Sequence, residues 1–498
     1  MTGQIQTSDT HFDVIVVGAG LSGIGAGVHL TQQCPGKSFV LLEGREQTGG
    51  TWSLFRYPGI RSDSDMHTMG YSFRPWRDAK AIADGPAILK YIRETAAEYH
   101  IDERIRTAHR VHRADWSSET ASWSLTVRRT DTEETLQYTC NVLYMCAGYY
   151  SYKGGYTPHF PGQDQFQGPI IHPQKWPDDL DYGGKRVVVI GSGATAITLI
   201  PAMSDKAEHI TMLQRSPTYV FAWPDKDCVA NTLNAVLPAQ WAYDLTRWKN
   251  IALQQHFYGL SQKHPQRAKA QLLKRVRRQL GPTYDVDTHF HPRYNPWEQR
   301  LCLSPNGDLF DALKSGRAEV VTDEIETFIP HGIRLTSGAT LEADIIVTAT
   351  GLNLVLFGDV TFFVDGQPID FSKTWSYKGI AISDVPNFFA CAGYVNASWT
   401  LRADLTSQFL CRVLNHMDHT STHQCTPRLR ESDRRMPQRD GLGSFSPGYF
   451  RRVQHLFPMQ SEKEPWLNDQ NYKKDKLRLR FAPLEDGVLT FTRRSHKD

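Results

Sequence analysis

Eight cysteines among 498 residues make a small complement, and no two of them form a Cys-x-x-Cys pair. Their scattered positions (34, 140, 146, 228, 302, 391, 411 and 425) suggest neither a zinc site nor a disulfide framework. Reduced thiols in a cytoplasmic protein are the expectation. An excess of charge of one sign is also missing. The formal net charge of +3 is too small to argue for nucleic acid. The polar N-terminus MTGQIQTSDTHFD has no signal-peptide core. The most apolar long run, residues 14–30, contains five glycines, Ser22 and His29, which makes it a poor membrane span. A strand, a tight turn and a packed helix explain the glycines better. At ~150 residues per domain, the length suggests about three domains. A composition of 40% hydrophobic and 22% charged residues is ordinary for a globular chain.

Two Gly-rich turns stand out against this background. Residues 13–17 form a short β-branched run, and Gly18-Ala19-Gly20-Leu21-Ser22-Gly23 follows directly. The first glycine permits a tight turn, the second a close approach to a pyrophosphate, and the third close packing of helix on strand. The helix that begins there offers free N–H groups and the positive end of its dipole. A second strand over 38–42 ends at Glu43, where a carboxylate can accept both hydroxyls of an adenosine ribose. The same design recurs at Lys185–Ile190, followed by Gly191-Ser192-Gly193-Ala194-Thr195-Ala196. Here the strand over 209–213 leads to Arg215. An acid at the ribose position favours a free 2′-hydroxyl, and an arginine favours a 2′-phosphate.

Two further patterns lie beside these turns. Residues 49–63, GGTWSLFRYPGIRSD, form a Gly/Pro-punctuated loop ending at Asp63. Residues 166–176, FQGPIIHPQKW, lie between the two nucleotide units with the spacing F-x-G-x-x-x-H-x-x-x-W. Together they resemble the fingerprints of type I Baeyer–Villiger monooxygenases, which are class B flavoprotein monooxygenases. Further stretches, including FRYPGIRSDSDM, VVIGSGATA, MLQRSPTY, NPWEQRLCL and TATGLNL, are similar to the ethionamide-activating monooxygenase group. The resemblance covers residues 13 to about 471.

The resemblance implies an α/β fold with two Rossmann-like dinucleotide-binding domains, for FAD and NADP, and a helical insertion. Residues 1–150 and 380–498 would bind FAD. Residues 151–225 and 325–379 would bind NADP, and 226–324 would form a mainly helical insertion carrying the active-site arginine. It further implies an enzyme that uses FAD, NADPH and dioxygen to convert ketones to esters or lactones through a peroxyflavin. Thioether or thioamide sulfur would be a second class of substrate. Arg300, in Gln299-Arg300-Leu301-Cys302, would stabilise negative charge in the reaction, and Asp63 would orient it. FAD contacts would come from Gly18, Gly20, Ser22, Gly23, Glu43, Thr51, Trp52, Ser53, Leu54, Asp63 and Val111. NADP contacts would come from Arg61, Ser62, Asp63, Gly191, Ser192, Gly193, Ala194, Thr195, Ala196, Ile197, Arg215 and Ser216. Many family members carry a lysine where this chain has Gln299, so NADPH preference rests more on Arg215 and Ser216. Two alternatives remain open: a flavin-containing monooxygenase acting on soft nitrogen or sulfur, and a reductase feeding a partner protein. Trp176 argues against the first. The absence of a redox-active Cys-x-x-Cys argues against the second.

His172 and Trp176 of the linker are read as fixing domain geometry. Residues 226–282 read as helical, with Trp241, Leu245, Trp248 and Ala252 on one face. No acidic residue lies between Asp244 and Asp285, while nine Lys or Arg do. The favoured reading is a solvated basic face that also concentrates NADPH. The other is weak association with a membrane surface. The alternation in residues 476–481, followed by Glu485-Asp486-Gly487, is read as a small hairpin.

Overall fold

The structure is a computed structural model that describes residues 10–439, 445 and 447–494. The N-terminal residues 1–9 of the polar stretch lie outside the described residues.

The first nucleotide unit is built on the strand His11–Val17, which lies parallel to Phe39–Leu42 on one side and to Thr135–Met145 on the other. Side chains alternate across a strand, so Val14 and Val16 enter one apolar core while Ile15 and Val17 enter another on the opposite face. Burial on both faces is why this strand reads as a continuous apolar run. His109–Ser117, Ser122–Arg129 and Thr135–Met145 form an antiparallel meander. Trp116 and Trp123 sit opposite each other in that meander, packed edge to face.

The second unit repeats the plan. Arg186–Ile190 is flanked in parallel by His209–Gln214 and Ile345–Thr348. Val187 and Val189 enter one core, and Val188 and Ile190 enter another. The linker strand Ile170–Ile171 closes the edge against Ile345–Thr348. Strand Thr361–Val364 pairs with His109–Ser117 of the first sheet. The chain therefore re-enters that sheet within the 325–379 segment assigned from sequence to the second unit.

The expected helical insertion is present as Cys228–Val236, Ala239–Lys263 and Pro265–Leu280. The stripe of Trp241, Leu245 and Trp248 does lie on one face, but that face is exposed. The inward stripe is Tyr243, Arg247, Asn250 and Gln254. Arg247 is buried and donates to the carbonyls of His67, Thr68 and Gly70, while Asn250 and Gln254 hold the Asp65 carboxylate.

The C-terminal hairpin expectation is corrected. Residues 472–480 form the helix Tyr472–Arg480, whose first turn is capped by the Asn471 side chain. Asp475 on its inner side takes Arg402 and Tyr394, which fixes a helix where alternation alone suggested a strand. The strand that follows, Leu489–Thr492, pairs with the distant Gln424–Pro427. The Asp486-Gly487 turn is real, with Gly487 at a φ of 74°.

Candidate functional site

Both Gly-rich turns open into one cavity of about 1010 Å³. At the first turn Gly18 has a φ of 107°, and a Cβ there would meet the Cys146 carbonyl oxygen at 2.5 Å. At the second, Gly191 has a φ of 135°, and a Cβ would meet the Ala349 carbonyl oxygen at 2.3 Å. In each unit the turn is wedged against the strand that leaves it, and only glycine fits. The helices Leu21–Gln33 and Ala194–Met203 start at Gly20 and Gly193 with no side-chain cap and no acid in the first turn. Their first N–H groups are therefore unclaimed by side chains, which suits the phosphates of a dinucleotide. A Cβ on Gly193 would meet nothing within 4 Å, so the approach there is open.

Glu43 is buried at the base of the first turn. Its two carboxylate oxygens accept the backbone N–H groups of Ala19 at 2.8 Å and Arg45 at 3.1 Å. Burial raises its pKa, and these two bonds partly offset that effect. Arg215 follows the end of strand His209–Gln214, is exposed, and has no carboxylate at ion-pair distance among the described residues. Ser192 donates to the Ser216 carbonyl at 3.1 Å, which ties the second turn to the Arg215 segment.

The structure gathers most of the expected site residues on the cavity wall. Gly18, Gly20, Ser22, Glu43, Thr51, Trp52, Leu54, Ser62, Asp63, Gly191, Ser192, Gly193, Ala194, Thr195, Arg215, Ser216 and Arg300 all line it. Others are placed elsewhere. Gly23 packs so tightly that a Cβ would lie 1.9 Å from the Gly18 carbonyl oxygen. Ser53 is buried and bonded to Arg45 and the Gly50 carbonyl. Ala196 and Ile197 are in the core of the second unit, and the Ile197 N–H is taken by Gly193. Val111 is buried beside a smaller cavity that it shares with Glu43 and Arg110. Arg61 lines the main cavity but is clamped by Asp308, at 2.5 and 3.4 Å, with Ser304 behind it. The Ser22 hydroxyl is engaged by the Trp399 indole N–H at 2.8 Å.

Arg300 precedes strand Cys302–Pro305, which Val220–Trp223 holds in parallel register. Its Nη1 lies 4.0 Å from Asp63 Oδ2, so the two form an ion pair just beyond hydrogen-bond contact. Removal from bulk water disfavours the guanidinium charge. The Asp63 carboxylate is the largest influence in its favour, and the pKa of Arg300 is raised; Tyr149, Tyr449 and Tyr150 line the cavity around it. Sequence reasoning missed these three tyrosines. Tyr149 stacks on Trp399 with centroids 5.1 Å apart and shares a 3.0 Å hydroxyl contact with Tyr150. Burial raises the pKa of Tyr449, and the neighbouring Arg300 charge opposes that shift. Tyr149 and Tyr150 directly follow the Cys146-Ala147-Gly148 turn, a position that could have marked them. Tyr449 is brought in from far along the chain and carried no local signal.

The linker histidine is settled geometrically. His172 Nδ1 accepts the Gln174 N–H at 3.1 Å, and its Nε2 donates to the Gly351 carbonyl at 2.9 Å. Trp176 packs against the core of the second unit.

Two nucleotide-binding units, each built on parallel strands and opening onto one cavity that Arg300 also lines, define a two-dinucleotide-binding architecture. The chain belongs to the flavin-binding monooxygenase-like family, whose profile matches residues 13–270. It is 51% identical over 485 residues to "FAD-containing monooxygenase EthA" of Mycobacterium tuberculosis, covering 97% of this chain and 98% of that protein. It is 48% identical to "Putative FAD-containing monooxygenase MymA" of the same organism, over 97% of each chain. Among solved structures, steroid monooxygenase bound to NADP superposes with a TM-score of 0.77 at 22% identity, over 97% of this chain and 100% of that one. At that identity the match speaks for the fold. No helix among the described residues is long and apolar enough to cross a membrane.

Proposed function

We propose that this monooxygenase uses FAD, NADPH and dioxygen to oxidise ketones to esters or lactones, and that it also oxygenates thioether or thioamide sulfur. The observation that carries the reading is Arg300, charged and 4.0 Å from Asp63 in the cavity onto which both nucleotide turns open. The fit of the cofactors rests on the uncapped helix starts and the Glu43/Arg215 contrast at the two ribose positions. When bound, they supply the reducing equivalents and the activated oxygen.

The protein residues then act on position and charge. Addition of a nucleophilic, activated oxygen to the ketone carbon would turn the carbonyl oxygen into an alkoxide; a carbon substituent then migrates to the added oxygen as its O–O bond breaks and the carbonyl re-forms, which inserts the oxygen. Arg300 holds a fixed positive charge where the alkoxide develops, and one such donor is worth ~100- to 1000-fold in rate. Asp63 keeps the guanidinium oriented without neutralising it in a direct bond. Tyr149, Tyr150 and Trp399 form an aromatic wall that limits water near the reacting carbon. Arg215, exposed and without a carboxylate partner among the described residues, is placed to take the 2′-phosphate of NADPH.

The test is product chromatography after incubating the purified protein with FAD, NADPH, air, a linear ketone, an aryl ketone, a thioether and a thioamide. Esters from the ketones support the reading. Sulfoxides without esters favour an enzyme restricted to soft nucleophiles, and remove the role given to Arg300.

A further inference from the structure

Most of the large apolar side chains that the described residues leave exposed are gathered on the helical insertion. Val236 of Cys228–Val236 is 70% exposed, and Trp241 and Trp248 of Ala239–Lys263 are 67% and 71% exposed. Leu245 lies between the two tryptophans on the same face, while Leu253 and Phe257 are exposed further along the helix and round its side. Scattered exposed apolar residues need no explanation, but two tryptophans and a leucine on one solvent-facing stripe do.

The helix cannot turn this surface inward. Trp241, Leu245 and Trp248 have the spacing i, i+4, i+7. Tyr243, Arg247 and Asn250 have the same spacing two residues later, which at ~100° per residue puts them on the opposite side. That opposite side is fixed to the body. Tyr243 donates to the Tyr71 carbonyl at 3.0 Å, Arg247 donates to three backbone carbonyls, and Asn250 and Gln254 bond to Asp65. Lys249 is paired with Asp227 at 2.6 Å.

The same insertion carries uncompensated positive charge. Lys263, Arg267, Lys274, Arg275 and Arg278 are exposed, and none has an ion-pair partner among the described residues. Lys263 follows Phe257 within two turns, and Pro265–Leu280 starts directly after that helix ends. A self-complementary contact between two copies would need acids in the same patch to answer these cations. No acid occurs between Asp244 and Asp285. Exposed tryptophan and leucine on an insertion that also carries unpaired lysine and arginine match an anionic bilayer, with apolar groups entering the headgroup boundary and cations meeting the phosphates.

We infer that the insertion docks this protein on anionic lipid membranes, lying on the surface without spanning it. The inference is independent of the reaction proposed above, because its test reads no catalysis. The FAD-loaded protein is mixed with phosphatidylcholine vesicles with or without phosphatidylglycerol and floated on a density gradient at low and high salt. The expected result is flotation with the anionic vesicles that weakens at high salt. Trp241→Ser with Trp248→Ser, and separately Lys274→Gln with Arg275→Gln and Arg278→Gln, should each lower partitioning about tenfold or more while flavin content stays unchanged. If a variant loses flavin, quenching of wild-type tryptophan fluorescence by brominated lipids replaces it, and quenching is expected. Failure of the wild type to float, equal flotation by the variants, or no quenching would overturn the inference. Conversion of a dimer to a monomer by the tryptophan variant, without vesicle binding, would assign the surface to a second copy instead.

Discussion

The Nε2 of His172 lies 2.9 Å from the carbonyl oxygen of Gly351, joining the linker that leaves the first nucleotide unit to the one that returns. Burial lowers the pKa of this imidazole, although the Gly351 bond partly opposes the shift. The unfolded imidazole takes up a proton near pH ~6.5, and the folded one only at lower pH. The stability is therefore fully present above pH ~6.5 and declines as the pH falls from there towards the folded pKa. His172→Gln should lose part of this acid sensitivity, and melting curves at mildly alkaline and mildly acidic pH will measure the difference. An unchanged pH slope would show that the imidazole is not titrating against the fold.

Arg300→Ala should leave NADPH-dependent flavin reduction within a few-fold of wild type and lower ester formation ~100-fold or more. Stopped-flow absorbance reads the first and chromatography the second. Arg300→Lys keeps a charge but loses the planar fork, and should recover only part of the rate. Normal ketone turnover in Arg300→Ala would sink the assignment.

Asp63→Ala should cost less than Arg300→Ala, because the guanidinium stays protonated without a carboxylate partner and loses only its orientation. The expected pattern is a fall in kcat with a smaller change in ketone KM. A change confined to KM would mean that Asp63 contacts substrate and does not position the arginine.

Arg215→Ala should raise the KM for NADPH ~10- to 100-fold, the worth of a lost charge-assisted hydrogen bond. The KM for NADH should barely move. Steady-state kinetics with both nucleotides decide this, and an equal effect on each removes the 2′-phosphate argument.

Arg247→Met should destabilise the protein by about 3–5 kcal/mol, because it leaves Asp404 buried without this partner and strips donors from three carbonyls. Denaturant unfolding of the flavin-loaded protein is the measurement. A loss under about 1 kcal/mol would mean that the insertion helix is held by packing alone.

The two nucleotide units were legible because each is a local construction. Strand, turn and helix follow one another within about thirty residues, and the glycines at 18 and 191 stand where a side chain would strike the neighbouring backbone. The alternation that suggested a terminal strand at 476–481 misled because the Asp475 contacts to Arg402 and Tyr394, which fix the helix, come from elsewhere in the chain. The resemblance gives Arg61 an NADP contact, and the fold brings Asp308, a partner remote in sequence, to its guanidinium.

The sequence by itself determined where the backbone turns, which strands are buried on both faces, and that two nucleotide units flank a linker, since those depend on residues close in the chain. Only the tertiary structure decided which charges stay free. It pairs Arg61 and Arg247, leaves Arg215 open, and surrounds Arg300 with tyrosines from two distant segments. It also turned the Trp241–Trp248 face outward, because the competing polar stripe found its hydrogen-bond partners on the body of the protein. Such outcomes depend on which groups meet across the fold, and chain-local spacing does not record that.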